Sequence, residues 1–350
     1  MRQLQAAFKL GHAQTGENPE LRAFFYRLAW LRGRTAHVVF VADGADRPSV
    51  KRGTQVRTTP LWLQRILEDF VVACGFAWIE APGEAEAELA HMNKTGFVDV
   101  VLTDDSDVLV LGAPVVMRKY VFRSATSPKH WSSPCTPSSP VNYKRDCSDH
   151  VRVYRATDIE SKADLTQGDM LLYALLVGND YHDGLKGCGQ AVALEIVKCG
   201  FGQILYEALL RYPDNNDHKL AVFLAGWRYR VKCALKAGST NFKRKHPALA
   251  ENITDAFPDL YVARLFLHPL VSPVERYEAI PGPRPMDLAR LGHLCELHFS
   301  FGSSTGIKDT FRTALWPGEL VSMLVAEGLV KLGHAIEPVS CSMCLAVRSS

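Results

Sequence analysis

Ala81-Pro82-Gly83-Glu84-Ala85-Glu86-Ala87-Glu88 decides the fold, together with Val98-Asp99-Val100-Val101-Leu102-Thr103-Asp104-Asp105-Ser106-Asp107 about one helix downstream. The first stretch opens a helix: Pro82 suits a first turn, alanines are strong helix formers, and acids near an N-terminus favour the helix dipole. Residues two apart diverge on a helix, so Glu84, Glu86 and Glu88 do not share one face. At the helix start, however, Glu84 and Glu86 both lean toward one loop. The second stretch is an apolar run that ends abruptly in acids. That pattern predicts a buried strand of a parallel sheet with carboxylates at its C-terminal end, where α/β sheets place their sites. Two such deliveries side by side make an oxygen-rich pocket suited to hard divalent cations.

Upstream, His37-Val38-Val39-Phe40-Val41-Ala42-Asp43-Gly44 predicts a β-branched strand ending in an acid, although Asp-Gly is equally a common turn. Arg47, Lys51, Arg52 and Arg57 follow as a basic stretch. Residues 21–31 predict an amphipathic helix with Leu21, Phe24, Phe25, Leu28 and Leu31 on its core stripe. Arg22, Arg27, Arg32 and Arg34 read as a solvated face, with a DNA site as the alternative. Residues 1–10 read as a further helix and 12–19 as a loop. Residues 61–74 predict a helix with Trp62, Ile66, Leu67 and Phe70 in the core. Residues 76–79 and 115–122 read as strands.

Ser-Pro, Ser-Ser-Pro and Thr-Pro-Ser-Ser-Pro recur between 124 and 148, which predicts a disordered surface insertion over 123–149. The sheet resumes at 151–154. Residues 164–177 predict a helix that Thr166 can cap, with Asp180 just past its end. Gly184, Gly187 and Gly189 predict a tight hairpin into a helix over 190–199. Glycines there let backbone N–H groups approach a phosphate, and they are equally frequent in plain connectors. Beyond it the chain reads as mostly helical, at 221–235, 287–299 and 310–325, with a basic patch at 241–246 that is a duplex contact or a solvated loop.

With 350 residues the chain has room for two domains, and 47% hydrophobic with 22% charged residues is ordinary globular composition. Net charge is only +3, but its distribution is uneven: eleven Lys/Arg against six Asp/Glu in residues 1–70, then three against eight in 71–120. An acidic pocket with basic flanks suits metal-dependent phosphodiester cleavage, and a chance gradient is the plain alternative. Nine scattered cysteines point to a reducing compartment, and Cys341-Ser342-Met343-Cys344 lacks the further ligands a zinc site needs. No apolar run reaches the ~18 residues of a membrane span, and residues 1–19 lack the apolar core of a signal peptide.

Four motifs, in order, resemble the XPG/flap-endonuclease superfamily: A-P-x-E-A-E-A, T-[DE]-D-x-D, then Leu175-Leu176-Val177-Gly178-Asn179-Asp180-Tyr181 and Gly184-Leu185-Lys186-Gly187-Cys188-Gly189. The likeness spans roughly residues 20–205. In the tail, Phe-Pro-Asp-Leu and Leu-Trp-Pro-Gly are similar to its fungal branch, the GEN/Yen-type Holliday-junction resolvases. The resemblance implies an α/β, PIN-like (resolvase-like), mostly parallel sheet flanked by helices. It divides the chain into a nuclease domain (1–122 with 150–163), a helix-hairpin-helix subdomain (164–235) and a mostly helical C-terminal extension (236–350). It also implies that the family's first strand, with its metal-binding Asp, is absent, so that the sheet lacks a central strand and the cluster one carboxylate.

Carried over residue by residue, the resemblance assigns Asp43, Glu84 and Glu86 to one Mg2+ (or Mn2+) ion and Asp105, Asp107 and Asp180 to a second. Asp104 and Glu88 match no ligand position, and Glu88 is expected on a solvated face. Lys51, Arg52 and Arg57 would lie on a gateway helix that holds the scissile phosphate. Gly184, Lys186, Gly187 and Gly189 would grip duplex backbone, with K+ at the hairpin. The implied function is a nuclear, structure-specific endodeoxyribonuclease of DNA repair and recombination, cutting flaps, forks or Holliday junctions and dimerising on four-way junctions. The alternatives are a catalytically impaired branched-DNA-binding protein, because one acid is missing, and an RNA-processing nuclease using the same acids.

Overall fold

A run of β-branched and aromatic residues makes strand β1 (Ala36–Ala42), and its alternating faces are both covered. Val39 and Val41 point into one apolar cluster, and Val38 and Phe40 into another on the opposite side. A strand buried on both faces belongs to a parallel sheet sandwiched by helices. The computed structural model describes residues 18–34, 36–56, 59–119, 151–238, 241–242, 244–299, 301, 303–331 and 343–348.

Six strands form the sheet in the order β4-β1-β8-β5-β6-β7: β4 (Ala77–Glu80), β5 (Val100–Leu102), β6 (Val115–Lys119), β7 (Val151–Arg155) and β8 (Met343–Arg348) join β1. All neighbours run parallel except β6 with β7. The central slot is therefore filled, against the expectation of a missing central strand. Its occupant comes from the far end of the chain: β8 pairs Ala36 with Met343 through Val41 with Arg348 on one side, and Val100 with Leu345 through Leu102 with Val347 on the other. A hexapeptide holding Val, Leu and Ala suits that central position, and its distance in sequence hid it. The tail expected to be mostly helical thus returns to the sheet.

The helices, in chain order, are α1 (Pro19–Arg32), α2 (Leu61–Ala73), α3 (Ala85–Lys94), α4 (Asp107–Val110), α5 (Ala156–Ala163), α6 (Gln167–Val177) and α7 (Gln190–Ile196). A π-turn at Val197–Phe201 leads into α8 (Gly202–Arg211). Then follow α9 (His218–Ala237), α10 (Pro247–Asn252), α11 (Leu260–Leu267), α12 (Glu275–Glu278), α13 (Leu288–His298), α14 (Ser304–Ala314) and α15 (Trp316–Lys331). Helices α1, α2, α13 and α14 cover one face through Phe25, Phe70, Phe299 and Phe311, whose rings pack 5.5–6.3 Å apart. Helices α3 and α6 cover the other face, continuous with the α8–α9 core around the buried Trp227. Thr166 caps α6 in a box with Asp169, a device worth about 1 kcal/mol.

Several local expectations change. Trp62 is 63% exposed, and Leu67 and Phe70 carry the core side of α2 instead. Arg32 is buried and paired with Glu319 at 2.7 Å, joining α1 to α15, so it is no solvated-face residue. The gateway region is a β-hairpin rather than a helix: β2 (Val50–Lys51) and β3 (Thr54–Gln55) turn on Arg52 and Gly53, both at positive φ. Two such residues make the type I′ turn that matches strand twist, and β-branched Val50 and Thr54 flank it. The helix expected over 310–325 is broken at Leu315, before Trp316-Pro317 starts α15. The Ser/Pro-rich insertion at 123–149 and the helix at 1–10 lie outside the described residues. Among the described residues no helix is long and apolar enough to cross a membrane.

Candidate functional site

Four turns meet beyond the C-terminal ends of the parallel strands. The turn after β1 carries Asp43, that after β4 carries Glu84 and leads to Glu86 on α3, and that after β5 carries Asp105 and Asp107. The turn after α6 carries Asp180. Glu84, Glu86, Asp105, Asp107 and Asp180 line one cleft of about 180 Å³, with Asp46, Lys51, Tyr181, Tyr261, Phe266 and Leu270 among the other walls. Five of the six predicted acids thus converge. Asp43 borders them without lining the cleft: its Oδ1 accepts the Ala85 N–H at 3.0 Å and its Oδ2 takes Arg47 at 2.8 Å. It caps the helix that carries Glu86.

Local chemistry explains these placements. Helix α3 starts at Ala85 with Glu84 as its extended N-cap residue, later than Pro82 suggested. The turn before it is clamped to the turn after β1, where Gly44 N–H donates to Gly83 O and Asp46 N–H to Pro82 O. A Cβ at Gly44 would lie 1.8 Å from the Ala81 carbonyl oxygen, so only glycine fits there. Asp107 N–H donates to Asp105 Oδ1 and Asp105 N–H to Thr103 Oγ1, folding the acids onto their own backbone. Buried Asn179 accepts the N–H groups of Tyr181 and His182 and so sets the loop that presents Asp180.

Lys51 organises the charge. Its Nζ lies 2.5 Å from Glu84 Oε1 and 2.9 Å from Asp180 Oδ2, and 5.4 Å from the Tyr181 ring centre. Burial pulls its pKa down, but the Glu84 and Asp180 carboxylates outweigh this and leave it raised. Asp107 is pushed up to about 7, first by burial and then by Asp105, Asp180 and Glu84, with Lys51 opposing. The acidic neighbours that add to the rise at Asp107 leave its surroundings short of positive charge. Hard oxygen donors with this deficit fit a divalent cation. Among the described residues no three acidic, histidine or cysteine side chains are already set around one metal position. The Lys51 ammonium stands between two of the donors, as a cation would.

The residues expected at duplex DNA divide between bonded and open positions. Arg52 donates from Nε to the Asn179 carbonyl at 2.5 Å, and Arg57 lies outside the described residues. Gly184 is a packing glycine: its φ is +84°, its N–H donates to His182 Nδ1, and a Cβ would meet the Gly178 nitrogen at 2.5 Å. Lys186, Gly187 and Gly189 are exposed, with open space about Gly189. The Lys186 carbonyl accepts from Asn252 at 2.7 Å. Of the basic patch, Phe242 is buried, while Arg244 and Lys245 are exposed. Glu88, expected to be solvated, is completely buried. Tyr261, Phe266 and Leu270 were missed, because nothing local to α11 signals that it walls a cleft some 80 residues or more away in sequence.

A mostly parallel sheet flanked by helices, with carboxylates gathered beyond its strand ends, is a PIN-like fold. Residues 75–180 match the XPG I-region. Flap endonuclease GEN homolog 1 of Mus musculus is 28% identical over 221 residues, 57% of this chain and 22% of that protein. The solved structure of the eukaryotic junction-resolving enzyme GEN-1 binding with cesium matches with a TM-score of 0.67 at 30% identity, covering 91% of this chain and 70% of that one. The Holliday junction-resolving enzyme GEN1 in complex with product DNA and Mg2+ ion matches at 0.64 and 30%, covering 90% and 68%. The chain belongs to the XPG/flap-endonuclease superfamily. It spans about a fifth of the length of the curated mouse relative.

Proposed function

We propose that this chain is a structure-specific endodeoxyribonuclease that cuts branched DNA (flaps, forks or Holliday junctions) by metal-assisted phosphodiester hydrolysis in nuclear repair and recombination. The observation that carries this reading is the convergence of five carboxylates from three segments on one cleft, with a lysine ammonium held among them. Asp43, Glu84 and Glu86 would hold one Mg2+ (or Mn2+), and Asp105, Asp107 and Asp180 a second. When bound, such ions activate a water and stabilise the charge that builds on the phosphate.

The chain's own residues supply the rest. Asp43 fixes the start of α3, and with it the aim of Glu84 and Glu86. With metal held at Glu84 and Asp180, the Lys51 ammonium that pairs with them here would pair with a phosphate oxygen instead. Exposed Lys186, Gly187 and Gly189 present a cation and open backbone to duplex, and K+ binding belongs to the carbonyls of that hairpin. Two copies on a four-way junction would place one such cleft on each of two strands.

The test is cleavage of labelled flap, fork and four-way junction DNA in Mg2+ and in EDTA, with D105N/D107N as control. Products in Mg2+ alone, absent in the double variant, are expected. No cleavage of any branch by the wild type rejects the activity. A second reading, a branched-DNA-binding protein without catalysis, is favoured by one observation: the Asp43 carboxylate is already committed to Arg47 and the Ala85 amide. It predicts salt-sensitive binding of branches without product.

A further inference from the structure

We propose that residues 268–277 of the C-terminal extension clamp the acidic turn, with Glu88 and Arg276 as positioning residues for Glu84 and Glu86. This rests on the reading of the cleft as a metal site and assigns it supporting residues from a distant part of the chain.

Glu88 is 0% exposed, two residues beyond Glu86 on α3. Its Oε2 accepts the Ser272 N–H at 2.9 Å, across 184 residues of sequence. A buried carboxylate is costly unless its partners are fixed, so the pair holds α3 and the loop around Ser272 in one register. The Tyr277 hydroxyl faces the same carboxylate, and burial followed by the Glu88 charge raises its pKa. The Tyr277 ring is wedged against Phe97 at 5.4 Å and His91 at 5.9 Å, near the other end of α3.

The same segment grips the turn at two more points. Arg276 donates to the Glu80 carbonyl at 3.1 Å, where the turn begins, and to Ser272 Oγ at 3.0 Å. The Leu270 backbone lies over Gly83, where a Cβ would sit 3.1 Å from the Leu270 oxygen. On its opposite side the turn is bonded to Gly44 and Asp46. Residues 80–88 are therefore held between two walls, one from the sheet and one from the extension. Neither Glu88 nor Arg276 is among the cleft's lining residues, so each acts on the acids through the backbone.

Outer-shell partners of metal ligands typically contribute 10–100-fold to affinity. The test is Mg2+-induced thermal stabilisation of the full chain, measured as a metal titration for wild type, E88A, E88Q and R276A. The Mg2+ midpoint should rise about ten-fold or more in E88A and several-fold in R276A. E88Q keeps an oxygen for the Ser272 amide and should stay within about three-fold of wild type. R276A changes an exposed side chain and remains informative if E88A does not fold. Unchanged midpoints in R276A, or in a folded E88A, overturn the clamp. A wild type that Mg2+ does not stabilise overturns the metal reading itself, and the clamp with it. A destabilised E88A with an unaltered midpoint makes Glu88 a folding residue only.

Discussion

Lys51 and Asp107 report the same shortage of positive charge in the cleft, since the pKa of each is raised. Without Lys51, Glu84 and Asp180 face each other across a partly dry space. K51M should therefore lower the melting temperature of metal-free protein by several degrees, and saturating Mg2+ should recover most of the loss; calorimetry with and without EDTA measures both. Asp107, at about 7, is raised above its ordinary value, first by burial and then by its acidic neighbours. The folded protein thus binds this proton more tightly than the unfolded chain does. Stability contributed at this residue falls as pH rises from about 4 to about 7, and is level outside that window. D107N should remove that slope, and melting curves between pH 4 and pH 8 in EDTA would display it. The acids themselves were legible in sequence because each ends a short, strongly patterned run. The lysine between them was legible as a phosphate-holding candidate and not as their partner. Its partners lie 33 and 129 residues away, and such pairings leave no local trace.

Among the elements, β8 departs furthest from what the sequence announced. Residues 343–348 have an ordinary strand composition, and no local pattern says that they pair at the sheet's centre rather than at an edge. The hairpin at 50–55 was obscured differently: its Arg-Gly turn was read through a family resemblance that implied a helix. Glu88 was hidden by a sound rule, since charged helix residues are seldom fully buried. By contrast β1, β4, β5 and the helices α1, α2 and α6 were legible from periodicity and capping alone. The placement of β8 makes a clear prediction. Ala346 pairs with Val39 on one side and Val101 on the other, so A346P removes a ladder donor and adds a ring at the centre of the sheet. It should cost ~3 kcal/mol or more, read from denaturant unfolding. The amides of 344–347 should exchange among the slowest in the protein, and fast exchange there would place the strand elsewhere.

Taken whole, the molecule joins two sequence-distant halves around one cleft. The β1–β4 side brings Glu84 and Glu86, with Asp43 bordering them; the β5 side brings Asp105 and Asp107; α6 brings Asp180; and the extension adds Leu270 to the wall and holds the acidic turn through Ser272 and Arg276. With a net charge of only +3, the attraction to DNA that the proposed function requires would come from local basic residues such as Lys186, Arg244 and Lys245. Binding should consequently weaken steeply with salt, and K186A should reduce the slope by about one ion for branched and linear DNA alike. Mn2+ binding, followed by electron paramagnetic resonance during titration of the full chain, tests the central claim most directly. The wild type should take up Mn2+ at the carboxylate cleft with Mg2+ competing, and E84Q/D107N should lose that uptake while remaining folded. Equal Mn2+ uptake by both proteins, or none by the wild type, would contradict the account.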